Sequence, residues 1–324
     1  MRHRSNFLLL CFAICLLTAL PCLAAAADWP NRTVTVIVPF GAGGNTDMMA
    51  RLGSQDLAAK FGQPFVVENH PSAGGAIGTR MVAEAKPDGY TLEFAASSMV
   101  TLTPQVQKLD FDPAKALVPI TNVGTGTQMI AIKRSLPAKT LPEFLAYAKA
   151  NPGKLNFSVA GTQNISQLAP ALLFARAGVN IVMVPARSEP GAISDLLAGN
   201  VDLYFGNSSS LLPYRDSDKI RLIAVGTAHR IPAAPDIPTV AETLPGFEFS
   251  SWNGFLAPAQ TPEPTINAIR AEVTAFVKKQ ETSQRLIKLG IVPGGLTQEQ
   301  NAAVFRHDTE AFAAGIKAAG ITPQ

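Results

Sequence analysis

The sequence predicts an α/β protein in which two cycles of strands and helices are followed by a helical C-terminal part. Short runs of apolar, often β-branched residues alternate with segments whose apolar residues recur at helical spacing. This alternation is typical of a parallel sheet covered by helices. It restarts near Met129, and helical spacing returns after Pro264. We therefore expect two lobes joined by more than one crossing segment.

The first cycle contains four predicted strands and two predicted helices. The second helix is expected to stop before Pro87 and Gly89, which mark a turn. The predicted strands are 33–38, 65–68, 90–96 and 118–123, and the predicted helices are 46–61 and 76–85.

The second cycle repeats this order, and a proline-rich region, 229–264, separates it from the last helices. Its first helix is expected to end near Asn151, because Pro152 and Gly153 follow. The predicted strands are 129–133, 155–160, 180–185, 201–206 and 220–226, with one more at 251–258. The predicted helices are 141–150, 167–177, 192–198, 264–279, 283–288 and 297–319.

The first 27 residues have the layout of a secretory signal peptide. Arg2 and Arg4 form a basic start, an apolar run follows at 7–20, and small residues at 25–27 form an A-x-A cleavage site. The apolar run is shorter than the roughly 20 residues that span a bilayer. We expect the segment to be cleaved, which leaves no membrane anchor.

The composition of the remaining chain excludes several classes of site. All three cysteines lie in the signal segment, so the mature chain has no disulfide, thiolate metal site or cysteine nucleophile. Removal of the segment leaves 25 Lys and Arg against 24 Asp and Glu. Such a balance predicts neither a basic face for nucleic acid nor a polybasic membrane-binding segment.

The turn between the first predicted strand and helix, "GAGG" at 41–44, carries almost no side chains. It lacks the Lys of a P-loop, and Thr46 stands where a dinucleotide-binding fingerprint requires glycine. Two interpretations remain open from this turn alone. It is either a tight turn whose glycines need positive φ, or a helix N-terminus whose free N–H groups bind an anion.

A second loop of the same kind, "PSAGGAIG" at 71–78, follows the next predicted strand. In open α/β sheets, ligands bind outside the carboxyl ends of the strands. Ser97 and Ser98 add hydroxyl groups at the end of the third strand. Two neighbouring loops with few side chains at this edge favour a small molecule held by backbone N–H groups and bridging water.

The residues that could carry catalysis are few. His70 precedes the second glycine loop, but no G-x-S-x-G motif accompanies it, and His229 and His307 are expected at the surface. No close spacing of His and acidic residues predicts a metal site. Asp47 is expected to be a structural cap of the first helix. The alternative is an Asp47 that faces the ligand, which would repel a carboxylate and favour an amine.

Long stretches of the chain resemble the Bug-type receptors of tripartite tricarboxylate transporters. They are "WPNRTVTVIVPFGAGGNTDMMAR" (29–51), "QPFVVENHPSAGGAIGTRMVAEAKPDGYTL" (63–92), "FLAYAKANPGKLNF" (144–157), "DIPTVAETLPGFEFSSWNGFLAPAQTP" (236–262) and "IKAAGI" (316–321). The resemblance extends over essentially the whole mature chain.

This resemblance implies a two-lobed periplasmic-binding-protein fold (type II, "Venus flytrap") with two crossing segments. The implied division is a signal peptide at 1–27, lobe 1 at 28–125, lobe 2 at 126–252 and a return to lobe 1 at 253–324. The implied function is a monomeric periplasmic receptor that closes on a small organic acid and delivers it to an inner-membrane permease. It would need no cofactor or metal and would not be an enzyme.

The resemblance also implies a set of ligand-binding residues, largely acting through backbone groups and water. In the first lobe they are Phe40, Gly41, Ala42, Gly43, Gly44, Asn45, Thr46, Ser72, Ala73, Gly74 and Gly75, with Ser97 and Ser98 beside them. In the second lobe they are Gly161, Thr162, Gln163, Asn164, Ser166, Pro185, Ala186, Arg187, Gly206 and Asn207.

The departures from the family pattern lie mostly in the second lobe. Ala186 replaces a common Tyr, Gly206 replaces a common acid, and Gln167 stands in place of a frequent His. We expect a larger pocket that lacks a partner for a ligand amine, which argues against an amino acid. Arg187 and Glu189 are expected as exposed charges at a helix start, with entry into the pocket as the alternative.

Two further functions stay open from the sequence. One is a receptor that signals to a sensor partner. The other is an exported enzyme of α/β-hydrolase or dehydrogenase type, for which the sequence lacks the nucleophile elbow and the cofactor fingerprint.

Overall fold

The computed structural model describes residues 29–162 and 164–318. The predicted signal peptide at 1–27, Gln163 and the end of the 316–321 segment lie outside the described residues. The strands are β1 (Val34–Val38), β2 (Phe65–Asn69), β3 (Thr91–Ala96), β4 (Leu117–Lys133), β5 (Asn156–Ala160), β6 (Val182–Ala186), β7 (Leu203–Asn207), β8 (Ile220–Val225), β9 (Ser250–Pro258) and β10 (Ile291–Pro293).

The predicted helices are confirmed, with ends within three residues of the expected ones. The helices are α1 (Asn45–Phe61), α2 (Ala76–Ala83), α3 (Ser98–Thr101), α4 (Thr103–Val106), α5 (Pro113–Ala116), α6 (Leu141–Ala150), α7 (Ile165–Ala177), α8 (Glu189–Ala198), α9 (Ser208–Leu211), α10 (Glu263–Lys278), α11 (Gln280–Lys288) and α12 (Gln298–Ala318). None of these described helices is long and apolar enough to cross a membrane.

The strands form a mixed sheet in the order β2-β1-β3-β9-β4-β7-β5-β6, with β8 and β10 also paired to β4. The pairs β1–β2, β1–β3, β5–β6 and β5–β7 are parallel, as the alternation of strands and helices predicts. The pairs that involve β4 or β9 are antiparallel. The expectation of a parallel sheet is therefore wrong in the middle, where β4 and β9 run antiparallel to their neighbours.

The long strand β4 replaces two predicted strands, 118–123 and 129–133. Its first part pairs with β9 as far as Thr127, and from Gln128 onward it pairs with β7. The glycines between the two parts suggest a break in the sequence, but one of them, Gly124, is a place of close packing. A Cβ added at Gly124 would lie 2.6 Å from Cγ2 of Ile291.

The first helix is held tightly against the sheet. A Cβ on Gly53 of α1 would lie 2.8 Å from the ring of Phe255, and that ring packs edge-to-face on Phe94 with centroids 4.8 Å apart. Phe94 and Phe255 are register partners on β3 and β9. This packing fixes the N-terminus of α1 at the carboxyl edge of β1, where ligands bind in α/β sheets.

The described residues from Arg32 to Ala318 form one compact unit, which contains the site described next. The core around β5 and β7 is apolar and includes Phe157, packed edge-to-face on Phe174 of α7. Helix α7 begins at a cap formed by Asn164, whose Oδ1 accepts a hydrogen bond from the Ser166 N–H at 2.9 Å. Helix α8 begins at Ser188, whose Oγ accepts from the Gly191 N–H at 3.3 Å.

Candidate functional site

A cavity of about 90 Å³ lies at the carboxyl edge of the parallel strands. The loops after β1 and β2, at 39–46 and 71–75, form what we term the first wall. The ends of β5 and β7 and the segments that follow β5 and β6, at 160–162, 164–166, 187–189 and 206–207, form the second wall. Gln128 of β4 and Ser251 and Asn253 of β9 also line the cavity. The two groups of predicted binding residues therefore face each other.

About half of the predicted binding residues line this cavity. They are Phe40, Gly41, Gly44, Asn45, Thr46, Ser72, Gly161, Asn164, Ser166, Arg187, Gly206 and Asn207. The described residues that belong to the predicted set but do not line it are Ala42, Gly43, Gly74, Gly75, Ser97, Ser98, Thr162, Pro185 and Ala186. The side chain of Ala73 is not among those that the structure describes. Gln163 lies outside the described residues.

Some of these residues contact the walls or the lining residues without lining the cavity themselves. The Gly74 N–H donates a hydrogen bond to the Thr162 carbonyl oxygen at 2.9 Å, which joins the two walls directly. Ser97 and Ser98 are fully buried, and the Ser97 Oγ lies 3.4 Å from the Ser251 Oγ. Ser97 thus supports a lining residue from behind.

The second wall approaches the first turn so closely that little space remains for side chains in place of its glycines. A Cβ on Gly41 would lie 3.0 Å from the Ser188 Cβ, and a Cβ on Gly44 would lie 3.2 Å from Oε2 of Glu189. Gly43 alone in this turn has a positive φ, of 79°. The interpretation of a tight turn with positive φ is confirmed at Gly43. The close approach of the second wall to Gly41 and Gly44 is a further reason for small residues, which the sequence did not indicate. Binding of an anion by the free N–H groups stays a prediction.

Asp47 holds the turn together, as expected for a structural role. Its Oδ2 accepts hydrogen bonds from the Gly43 N–H at 2.9 Å and from Nε of Arg51 at 3.1 Å, and its Oδ1 accepts from Nδ2 of Asn69 at 3.0 Å. Burial alone would raise the pKa of this carboxyl. The hydrogen bonds from Arg51, Gly43 and Asn69 outweigh burial and lower the pKa below its ordinary value.

Glu189 is buried in the cavity wall, so the expectation of an exposed charge is wrong for this residue. It is 8% exposed and lines the cavity as the first residue of α8. Its Oε2 accepts a hydrogen bond from the Asn45 N–H at the start of α1, at 2.9 Å. A carboxylate near a helix N-terminus is stabilised by the unpaired N–H groups there.

The other carboxylate oxygen of Glu189 accepts three hydrogen bonds. They come from the backbone N–H and Nδ2 of Asn207, each at 3.0 Å, and from the hydroxyl of Tyr204 at 3.4 Å. Burial, the Glu189 charge and this hydrogen bond raise the pKa of the Tyr204 hydroxyl well above its ordinary value. The cavity is therefore lined by an acid, Glu189, and a phenol, Tyr204. In the family pattern these groups come from an acid at position 206 and a tyrosine at position 186, where this chain has Gly206 and Ala186.

Further amide groups extend this network along the cavity. Nε2 of Gln128 donates to Oδ1 of Asn207 at 2.7 Å, and the Ser209 hydroxyl donates to Oδ1 of Asn45 at 2.7 Å. On the first wall, the Thr46 hydroxyl donates to Oδ1 of Asn253 at 2.9 Å. These contacts hold the lining side chains in fixed orientations, which is the usual requirement for selective binding of a small polar molecule.

Sequence reasoning missed or misjudged the lining residues Gln128, Glu189, Tyr204, Ser251 and Asn253. Four of them are polar or hydroxyl-bearing residues inside strands, and polar groups in buried strands need a partner. That signal was present in the sequence. For Glu189 the signal was different. The chain lacks the acid that the family commonly has at position 206, but it has an acid, Glu189, at the start of the helix that precedes this position.

The described residues contain no group of three or more His, Cys, Asp or Glu side chains arranged to hold a metal ion. His70 lies outside the cavity lining, and its Nε2 is 3.4 Å from Oε2 of Glu68.

A family model described as "Tripartite tricarboxylate transporter family receptor" matches residues 49–320. The chain belongs to this receptor family. Its resemblance to the Bug-type receptors is thereby confirmed.

Individual relatives agree with this assignment. The UPF0065 protein in the tcbD-tcbE intergenic region of Pseudomonas sp. (strain P51) is 33% identical over 284 residues, which cover 87% of this chain and 84% of the relative. The structure of R. palustris Rpa4515 with adipate is 31% identical and has a TM-score of 0.88 over 92% of this chain and 100% of that one. MatC (Rpa3494) from Rhodopseudomonas palustris with bound malate is 29% identical, with a TM-score of 0.83 over 89% and 100%.

The fold of this receptor is that of the periplasmic binding proteins, as the resemblance implies. Both the family and the fold are those of binding proteins.

Proposed function

We propose that this receptor binds a small organic acid in the cavity between the two walls, in the periplasm, and delivers it to an inner-membrane transporter as a monomer. The observation that carries the proposal is the arrangement of the walls. Two loops with few side chains face polar loops from the other end of the sheet, at the N-terminus of α1. Two related receptors support the ligand class, since their structures contain adipate and malate.

The two walls belong to two lobes in this proposal, with lobe 1 formed by 28–125 and 253–324 and lobe 2 by 126–252. The change of partners along β4 between Thr127 and Gln128 supports this division. A ligand that contacts both walls would favour the closed arrangement by the contacts it makes only there.

The proposed binding residues are the predicted ones that line the cavity. Arg187 supplies positive charge at the rim, and Ser72 supplies a hydroxyl on the first wall. An arginine suits a carboxylate because its planar guanidinium can donate two parallel hydrogen bonds.

A thermal-shift screen of carboxylic acids, followed by calorimetric titration, tests the proposal. We expect at least one acid to stabilise the protein and its uncharged primary amide analogue to do so less. Arg187→Gln should weaken binding about tenfold or more, since charge-assisted hydrogen bonds contribute roughly 1.5–3 kcal/mol. Arg285→Gln, an exposed arginine on α11 outside this cavity, is the matched control. Failure of every mono-, di- and aromatic acid to bind would refute the proposal.

A further inference from the structure

Among the described residues that line the cavity, the charged side chains are one cation, Arg187, and one anion, Glu189. Arg187 is exposed at the rim, whereas Glu189 is buried in the wall. A ligand with one carboxylate can be matched by Arg187, but a second carboxylate finds a negative charge inside the same cavity.

Hydrogen-bond donors surround the side chain of Glu189. Four of them, from Asn45, Tyr204 and Asn207, point at its two oxygens. Oε1 accepts three of the four, whereas Oε2 accepts only the one from Asn45 and keeps the capacity for a further donor.

The cavity is small, about 90 Å³, and Glu189 is part of its lining. A ligand group in this space therefore lies near Glu189. Like charges at such short range in a partly desolvated site repel strongly. A neutral or cationic group that donates a hydrogen bond would instead be attracted.

We propose that Glu189 makes this receptor selective for acids with a single carboxylate and a hydrogen-bond donor, such as an amide, hydroxyl or ammonium group, at the other end. This inference rests on the proposed function and names the substrate class within it. It also reverses the sequence-based argument against a ligand amine. That argument followed from the loss of an acid at Gly206, and the buried Glu189 restores an acid to the same wall.

Pairs of nearly isosteric probes test the selectivity. The dicarboxylates malonate, succinate, glutarate and adipate are each compared with their own monoamide, in which one carboxylate is replaced by a carboxamide. Calorimetric titration of the wild-type protein should show that the monoamide binds about tenfold or more tightly than its diacid, because like-charge contacts in an interface cost several kcal/mol. Equal or tighter binding of the diacid would overturn the inference.

The variant Glu189→Gln removes the charge and keeps the shape of the side chain. The preference for the monoamide should then fall to about threefold or less, since the repulsion that produces it is gone. Glu263→Gln is the matched control, because Glu263 also begins a helix, also precedes a proline and is exposed away from the cavity. An unchanged preference in Glu189→Gln would overturn the inference, and so would an equal loss in the control.

The design separates the two proposals. Binding of other carboxylic acids together with no binding of any of the four pairs would overturn the selectivity and leave the receptor function standing. Binding of no acid at all would overturn both. The comparison in the wild-type protein does not depend on the folding of any variant.

Discussion

The ring of Tyr204 occupies the space beside Gly206 that any larger residue at position 206 would need. A Cβ added at Gly206 would lie 2.1 Å from the Cε1 atom of Tyr204 and 2.5 Å from its hydroxyl oxygen. Tyr204 is 1% exposed, so its ring cannot swing into solvent. Position 206 therefore has to be glycine while the Tyr204 ring is in this place. The acid that the family commonly has at position 206 would overlap with that ring.

Gly206→Ala should lower the free energy of unfolding by about 1–3 kcal/mol, the usual cost of overpacking. The same substitution in a Tyr204→Ala background should cost much less, because the ring that it meets is absent. Urea unfolding of the four proteins of this double-mutant cycle measures the coupling. Gly191→Ala is the control, since its added Cβ meets only ordinary contacts of 3.4 Å or more. Additive effects would contradict the prediction.

Substitutions at Gly75 and Gly62 distinguish the cost of a left-handed backbone from the cost of steric overlap with a neighbouring side chain. Both have positive φ, of 75° and 69°, but a Cβ on Gly75 would lie 2.2 Å from the Met99 sulfur, whereas one on Gly62 meets nothing within 4 Å. Gly62→Ala should cost about 1–2 kcal/mol from the left-handed backbone alone. Gly75→Ala should cost more by a further 1–3 kcal/mol or so. Equal losses in thermal or urea unfolding would show that Met99 moves aside freely.

Glu93 should make the protein less stable as the pH rises from about 4.5 to 7. Burial raises the pKa of this fully buried carboxyl to about 7, and the hydrogen bond from the Thr79 hydroxyl, at 2.8 Å, only partly offsets the rise. The pKa of Glu93 is higher in the folded protein than in the unfolded one. The stability that protonated Glu93 contributes is therefore fully present below the unfolded pKa, and it is lost as the pH rises through the folded pKa.

The expected loss across this interval is roughly 3 kcal/mol, from 1.36 kcal/mol per pKa unit. Urea unfolding between pH 4 and pH 8 should show this loss in the wild type relative to Glu93→Gln, which cannot ionise. Parallel pH profiles of the two proteins would rule out a titrating Glu93.

Asp47→Asn should destabilise the protein at neutral pH. The carboxylate holds the Gly43 N–H and Arg51, and its folded pKa is lowered. The stability it contributes is therefore present above its unfolded pKa and is lost as the pH falls through the folded pKa. A loss of about 1–3 kcal/mol at pH 7 is expected. It should shrink near pH 3, which thermal unfolding at both pH values would show. A pH-independent loss would contradict this assignment.

Local signals in the sequence were enough to predict the eight longer helices and most strands, but not the short helices α3, α4, α5 and α9. Helical spacing and the turn residues determined α1, α6 and α7 to within a few positions, and the two predicted glycine loops lie at the sheet edge that holds the cavity. The single strand β4 was not predicted, because Gly124 and Gly126 suggest a break unless the packing against β10 is known.

The second wall was predicted less well because its contacts join residues far apart in the chain. The hydrogen bond between Asn45 and Glu189 spans 144 positions, and no local pattern at either residue indicates it. Glu189 carries the ordinary sequence signature of an acid in the first turn of a helix. Glu189 is buried only because the loops of the two walls approach each other across the cavity.

Strand β4 has a mechanical consequence for the motion of the walls. Its 17 residues pass from β9 to β7 as one strand, with irregular pairing between Pro119 and Thr121 and between Asn122 and Gly124. The two groups of strands are therefore joined here by strand backbone and not by a loop. In the proposed two-lobed receptor, opening of the cavity would twist this strand, and we expect the motion to be small for that reason.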